Sequence, residues 1–214
     1  MIAISTAYKE ALIAVDIEGK KAFRSLDGNA KHAESIMPAL DELLDSTGKT
    51  LSQNDTYAVV IGPGSFTGIR IGIALIKGLQ AGQRKKLIAL TTFDLMAYCY
   101  VKENNPKKDF ITVINALSGL YYICKYNSLG EKIEEPQVVT QEEYQDLQET
   151  KVGLSEEGFA EILVRPSPEE LLSLCEQLQE KKSFIEDKAL TPLYLRKSQA
   201  EDNLNDAKGD KNKN

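Results

Sequence analysis

The chain has 214 residues, enough for one large or two small units with a sizeable core. With 42% hydrophobic and 27% charged residues it has the balance of an ordinary soluble globular protein, and nothing near the roughly 18 consecutive apolar residues of a membrane span occurs. A formal net charge of -6 argues against a chain that grips RNA unaided, because phosphate neutralisation needs a basic surface.

Residues 1–6 carry no basic stretch ahead of an apolar run, so they read as a strand rather than a leader. Strands are predicted at 2–5, 11–17 and 22–26, the last two joined by a turn at Glu18-Gly19-Lys20, which makes an antiparallel meander. A helix follows over 31–46, with Ala33, Ile36, Met37, Leu40, Leu43 and Leu44 on one face; Pro38 predicts a kink or a first turn there, and Gly48 a stop. The apolar run 57–61 reads as a buried strand entering the turn Gly62-Pro63-Gly64. A second helix spans 66–82 with Ser65 as N-cap, then comes a strand at 87–90. Thr91 and Asp94 form a capping box for a helix ending near Val101.

The polar stretch 104–108 reads as a linker, dividing the chain into a first lobe at 1–103 and a second at 104–198 whose last helix is free to pack back on the first. In the second lobe the meander restarts with strands at 110–114, 120–126 and 132–139, then a short helix at 141–149 and a strand at 159–164. Ser167, with Pro168, Glu169 and Glu170, opens the last helix. From Gln199 the chain is almost entirely Asn, Asp, Lys and small residues, and 199–214 reads as a disordered tail. Two lobes that each begin with a strand meander suggest a duplicated α/β unit. Cys99, Cys124 and Cys175 form no CxxC or metal spacing and read as small buried hydrophobes in a reducing cytoplasm.

The most specific stretch is Gly62, Pro63, Gly64, Ser65, Phe66, Thr67 and Gly68, a glycine-rich turn at a helix start. It could receive an anion on free N–H groups, or merely turn the chain. It does not fit the P-loop, since Ile69 and Arg70 follow Gly68 where Lys and Ser or Thr are needed, nor the dinucleotide fingerprint, whose third glycine would fall on Thr67. In the helix that follows, Gly68, Gly72 and Gly78 each cost about 1 kcal/mol relative to Ala and call for close backbone packing in return. Gly68, Gly72, Leu75 and Leu79 share one face and Ile69, Ile73 and Ile76 the next, an apolar arc of roughly 200°. So wide an arc needs a second covering surface, from this lobe or from another chain.

The run G-P-G-S-F-T-G-I-R-I-G-I-A, the helix H-A-E-S-I-M-P at 32–38 and P-L-Y-L-R at 192–196 together resemble the signature of the TsaB (YeaZ-like) family, a branch of the actin-like ATPase fold. The resemblance covers residues 1–92 and the P-x-Y-L-R element, and is faint between them. It implies a two-lobed actin-like (ribonuclease H-like) α/β fold with a short, divergent second lobe. It also implies a cytoplasmic, non-catalytic subunit of the complex that makes N6-threonylcarbamoyladenosine (t6A) in tRNA. The implied partners are a catalytic TsaD-like paralogue and a TsaE-like ATPase, with tRNA reached only through the complex, a homodimer when the chain is alone, and no membrane.

The catalytic paralogue holds its metal through a histidine pair, whereas this chain has one histidine, His32, with Ile36 four residues on. Where relatives carry Asp-Thr in the first hairpin and Asp-Ala-Arg in the second, this chain reads Ser5-Thr6 and Asn115-Ala116-Leu117, so neither carboxylate for magnesium is present. No catalytic residue, cofactor or metal is therefore expected for the isolated chain, with ATP or ADP bound only at an interface shared with the partner. The acid pairs Glu134-Glu135, Glu142-Glu143 and Glu156-Glu157 read as solvated surface, and Tyr121-Tyr122 as one ring inward and one outward on a strand. The expected partner interface is His32, Ile36 and Leu40 on the first helix with Ile69, Arg70, Ile73, Ile76 and Lys77 on the second. The competing reading is a degenerate ATPase or peptidase of the same fold acting on the partner.

Overall fold

The computed structural model of this chain describes residues 1–28 and 32–196; Lys31 and the tail expected at 199–214 lie outside the described residues. Three strands, β1 (Ile2–Ser5), β2 (Ala11–Ile17) and β3 (Lys20–Leu26), open the chain as an antiparallel meander. Helix α1 (His32–Thr47) leads to β4 (Thr56–Val60), which pairs parallel to β1. Helix α2 (Phe66–Gln80) then returns to β5 (Lys86–Leu90), parallel to β4, closing a sheet ordered β3-β2-β1-β4-β5. Pro38 sits inside α1 rather than in its first turn, and is exposed.

Helix α3 (Thr92–Asn104) starts at the expected box: the Asp94 carboxylate accepts the Thr91 N–H at 2.8 Å while Thr91 Oγ1 accepts the Asp94 N–H at 3.0 Å. The second half repeats the first. Strands β6 (Phe110–Asn115), β7 (Leu120–Tyr126) and β8 (Gln137–Thr140) form a meander, α4 (Gln141–Asp146) follows, and β9 (Thr150–Leu154) and β10 (Ile162–Val164) add in parallel to give β8-β7-β6-β9-β10. This is the first sheet's topology strand for strand, so the two-meander reading holds at the level of architecture.

Several boundaries differ from the sequence reading. The strand expected at 132–139 is only an isolated bridge of Lys132 to Tyr126 followed by β8, because Pro136 cannot donate to a ladder. The strand expected at 159–164 shrinks to β10, and the helix expected at 141–149 stops at Asp146. Strand β9 has only Val152 and Leu154 as large apolar residues, and the sequence pattern missed it.

No helix joins β9 to β10 where α2 joins β4 to β5; a loop at 155–161 takes its place. All four β1 residues are buried, so both faces of the first sheet are covered, by α1 and α2 on one side and by α5 (Pro168–Glu180) on the other. Helix α3 packs instead on β6, β7, β9 and β10 of the second sheet and against α5. Past α5, a strap over residues 184–196 crosses the edge of the first sheet, where the Ile185 N–H donates to Leu87 O at 2.9 Å and the Leu193 N–H to Ile61 O at 2.8 Å. Among the described residues no helix is long and apolar enough to cross a membrane.

Candidate interaction face and interlobe cleft

The glycine-rich turn is shaped by close approach. The Ser65 N–H donates to Ala7 O at 2.9 Å, and the buried Thr6 hydroxyl donates to Gly68 O at 2.6 Å, drawing the β1–β2 turn onto the start of α2. A Cβ at Gly64 would run into the Ala7 carbonyl, one at Gly68 into the Thr6 carbonyl, and one at Gly72 would lie 2.5 Å from Thr6 Oγ1. Gly68 and Gly72 recover their helix cost through contact that no side chain would allow. Ser65 caps the helix as expected, its Oγ accepting the Gly68 N–H at 3.1 Å. Gly78 is different: a Cβ there would meet nothing within 4 Å.

The helix faces divide in a way the periodicity did not reveal. Ile69, Ile73 and Ile76 are buried in the chain's own core against the first sheet, as are Ile36 and Leu40 on α1. These five cannot meet a partner without unfolding the lobe, which corrects that part of the expected interface. Arg70 is exposed but occupied: its guanidinium lies 3.8 Å from the Phe66 ring centre, and its Nε–H donates to Tyr194 Oη at 2.7 Å. The Phe66 and Tyr194 rings stack at 5.0 Å, so the strap is latched to the first turn of α2. Lys77 projects from the helix, and His32 is half-buried with Nε2 3.1 Å from the Lys9 carbonyl. What α2 leaves outward is Ala74 and Gly78, both exposed, beside half-buried Ile71 and Leu75. Sequence reasoning passed over these because they are the smaller members of the apolar arc.

Between the lobes lies a cleft of about 1000 Å³. One wall is the turn Gly64–Gly68 with Phe66; the other is the β6–β7 turn and the loop 155–158. Gly62 and Pro63 are buried, Pro63 still lining the cleft, while Gly64, Ser65, Phe66 and Thr67 are exposed. Ser5 is buried, and its hydroxyl has no partner among the described residues. Asn115 accepts the Leu117 N–H on Oδ1 at 2.8 Å, and its own N–H donates to both carboxylate oxygens of Glu157 at 3.3 Å. Glu156 reaches the other way and accepts the Lys9 N–H at 3.4 Å. Burial pushes the Glu157 carboxyl up to about 7; the Asn115 N–H opposes the rise and the Glu156 charge adds to it. Glu157 is half-buried, a correction to its reading as solvated surface, whereas Glu156 is exposed as expected.

Glu156 and Glu157 thus bring two adjacent carboxylates to the cleft, each accepting a backbone N–H. Among the described residues no three His, Cys, Asp or Glu side chains are arranged to hold a metal ion. Tyr121 packs with Tyr144 and Phe159 on one face of the second sheet and Tyr122 joins the main core on the other, so the rings alternate as expected but both are packed and neither turns outward.

Comparison with known proteins agrees with this architecture. A family model described as TsaD, tRNA N6-adenosine threonylcarbamoyltransferase, matches residues 27–163. The tRNA threonylcarbamoyladenosine biosynthesis protein TsaB of Escherichia coli is 26% identical, over 94% of this chain and 96% of that protein. The protein of the same name from Buchnera aphidicola (subsp. Schizaphis graminum) is 31% identical over 63% of this chain and 66% of its own length. In fold, YeaZ from Pseudomonas aeruginosa superposes with a TM-score of 0.76 at 24% identity, over 91% of this chain and 98% of that one. With the family model spanning more than half of its length and a TsaB relative aligned to it nearly end to end, this chain belongs to the TsaB/YeaZ family of TsaD-related proteins, with the actin-like fold of that group.

Proposed function

We propose that this chain works in t6A synthesis on tRNA as a non-catalytic subunit that binds and supports a TsaD-like paralogue, and that its binding face is the outward side of α2. The names of its TsaB relatives support the pathway. The observation that carries the partner role is the exposure of Ala74 and Gly78 between half-buried Ile71 and Leu75 on a helix with no acidic residue. Small residues there let a second helix come close, and the apolar flanks bury against it. Ser5 and Asn115 at the two hairpins bring no carboxylate for magnesium, which supports a chain that does not turn over nucleotide by itself. A TsaE-like ATPase and tRNA join through the complex, and a second copy of this chain can occupy the same face when the paralogue is missing.

The test is co-purification with the TsaD-like paralogue from the same organism, followed by a tRNA modification assay with and without this chain. Ala74→Glu leaves the isolated fold intact and abolishes both the complex and the stimulation. A wild-type-strength complex with Ala74→Glu would remove α2 as the binding face. Tight ATP–magnesium binding by the isolated chain would favour the enzyme reading.

A further inference from the structure

Arg70 is pinned although it is exposed. It leaves α2 one turn before Ala74. Its guanidinium carbon lies 3.8 Å from the centre of the Phe66 ring and 5.7 Å from that of Tyr194, while its Nε–H donates to Tyr194 Oη at 2.7 Å. Phe66 is 38% and Tyr194 41% exposed, so this sandwich stands at the surface. Fixing a rotamer-rich side chain costs entropy, and a cation–π contact in water returns little of it. Only Nε is bonded: among the described residues neither Nη nitrogen has an acceptor and no carboxylate pairs with the side chain. Phe66 and Tyr194 line the interlobe cleft but Arg70 does not, so the open fork belongs to the flank of α2. The surroundings are cationic in a chain of net charge -6: residues 56–93 hold Arg70, Lys77, Arg84, Lys85 and Lys86 and no Asp or Glu, and residues 189–196 of the strap hold no acid either.

We propose that the Phe66–Arg70–Tyr194 sandwich is a preformed socket for a carboxylate side chain of the TsaD-like paralogue, which accepts from the two Nη groups of Arg70 while the paralogue's surface covers the exposed rings. It rests on α2 being the binding face. A planar guanidinium offers a carboxylate two parallel N–H donors, and one backed by an aromatic ring is weakly hydrated and ready to be buried. Because the strap already holds the fork in one pose, docking loses little further freedom there, which is how Arg and Tyr come to dominate the centre of an interface. The position favours a protein carboxylate over an RNA phosphate. Half-buried Ile71 and exposed Ala74 adjoin Arg70 and give a partner helix apolar ground that excludes water, whereas a nucleic-acid backbone needs cations in close succession and Lys77 is roughly 10 Å further along α2.

Dissociation of the full chain from the immobilised paralogue tests the socket, because losing a desolvated, hydrogen-bonded charge speeds dissociation whereas losing a rim charge slows association. Arg70→Lys keeps the charge without the fork and should dissociate about tenfold faster, and Arg70→Gln about thirtyfold faster. Tyr194→Phe keeps the ring but frees the fork, and should dissociate about threefold faster. Arg84→Gln, beyond the end of α2, should keep the wild-type dissociation rate. If the sandwich only fastens the strap, Arg70→Lys and Tyr194→Phe shift the urea midpoint of the isolated chain and leave dissociation unchanged, which overturns the proposal. Arg70 variants that keep the heterodimer but weaken tRNA binding by the complex also overturn it, since phosphate is then the acceptor. Ala74→Glu separates the two failures. If it abolishes the complex while Arg70→Lys dissociates like wild type, the α2 face stands and the socket falls; if Ala74→Glu binds at full strength, both fall.

Discussion

Alanine substitution along α2 separates a glycine held by contact from one left in the open. At Gly78 the Cβ has no atom within 4 Å and φ is not left-handed, so Gly78→Ala gains the full helix propensity difference of about 1 kcal/mol. For a chain of this size that raises Tm by about 2–4 °C. At Gly72 the same gain is opposed by a Cβ 2.5 Å from Thr6 Oγ1 and 3.4 Å from Val59 Cγ2. The Thr6 hydroxyl cannot swing away without giving up its 2.6 Å bond to Gly68 O in a fully buried site. Overpacking of about 1–3 kcal/mol and a strained buried hydrogen bond worth about 1 kcal/mol outweigh the propensity term, so Gly72→Ala loses about 1–3 kcal/mol net. Urea unfolding of the isolated chain measures both. In the complex with the paralogue the order reverses for Gly78, whose methyl fills the space proposed for a partner helix and weakens association. A Gly72→Ala variant as stable as wild type, or a Gly78→Ala variant less stable, would refute the placement of α2 on the first sheet.

Glu157→Gln carries a pH signature in stability. The folded carboxyl is raised from its ordinary 4.5 to about 7, so its favourable contribution is complete below 4.5 and is lost as pH rises through about 7. A shift of that size is worth about 3 kcal/mol in a fully buried group, and partial exposure reduces it to about 1 kcal/mol. The glutamine variant should therefore gain about 1 kcal/mol near pH 8.5 and nothing near pH 4, read from urea midpoints. Tyr194→Phe removes the Arg70 hydrogen bond but keeps the ring stack, and should cost about 0.5–1 kcal/mol; Tyr194→Ala should cost more and expose the 184–196 strap to protease. Ile76→Asp buries an unpaired charge and should unfold the first lobe, with lost near-ultraviolet circular dichroism, rather than yield a folded chain deficient only in binding.

The elements with strong periodicity and clear punctuation were legible from the residues. α2 with its Ser65 cap, α3 with its Thr91–Asp94 box and β7 over 120–126 all follow from spacing and end signals. Strand β9 escaped because Thr150 and Lys151 precede Val152 and Gly153 interrupts the apolar run, while its parallel pairing with β6 is a tertiary fact. The interface residues were misjudged for a related reason. Periodicity finds an apolar arc, yet it cannot tell which part meets the chain's own sheet. The large Ile69, Ile73 and Ile76 took that side, leaving Ala74 and Gly78 outward. Glu157 looked like surface because adjacent acids in a polar stretch usually are; only the short reach of β9 makes its carboxylate a ladder acceptor.

The exchange of closing helices between the two halves bears on how the molecule comes apart. Each half ends in a helix that shields the other's sheet: α3 covers the second and α5 the first. Cutting the connection between α3 and β6 would leave both pieces with a greasy, unshielded layer, so neither fragment should be stable by itself and the two should regain structure when mixed. Unfolding of the intact protein is then a single cooperative event, and damage confined to the late, divergent half, such as a break in α5, is felt at once in the half that carries α2.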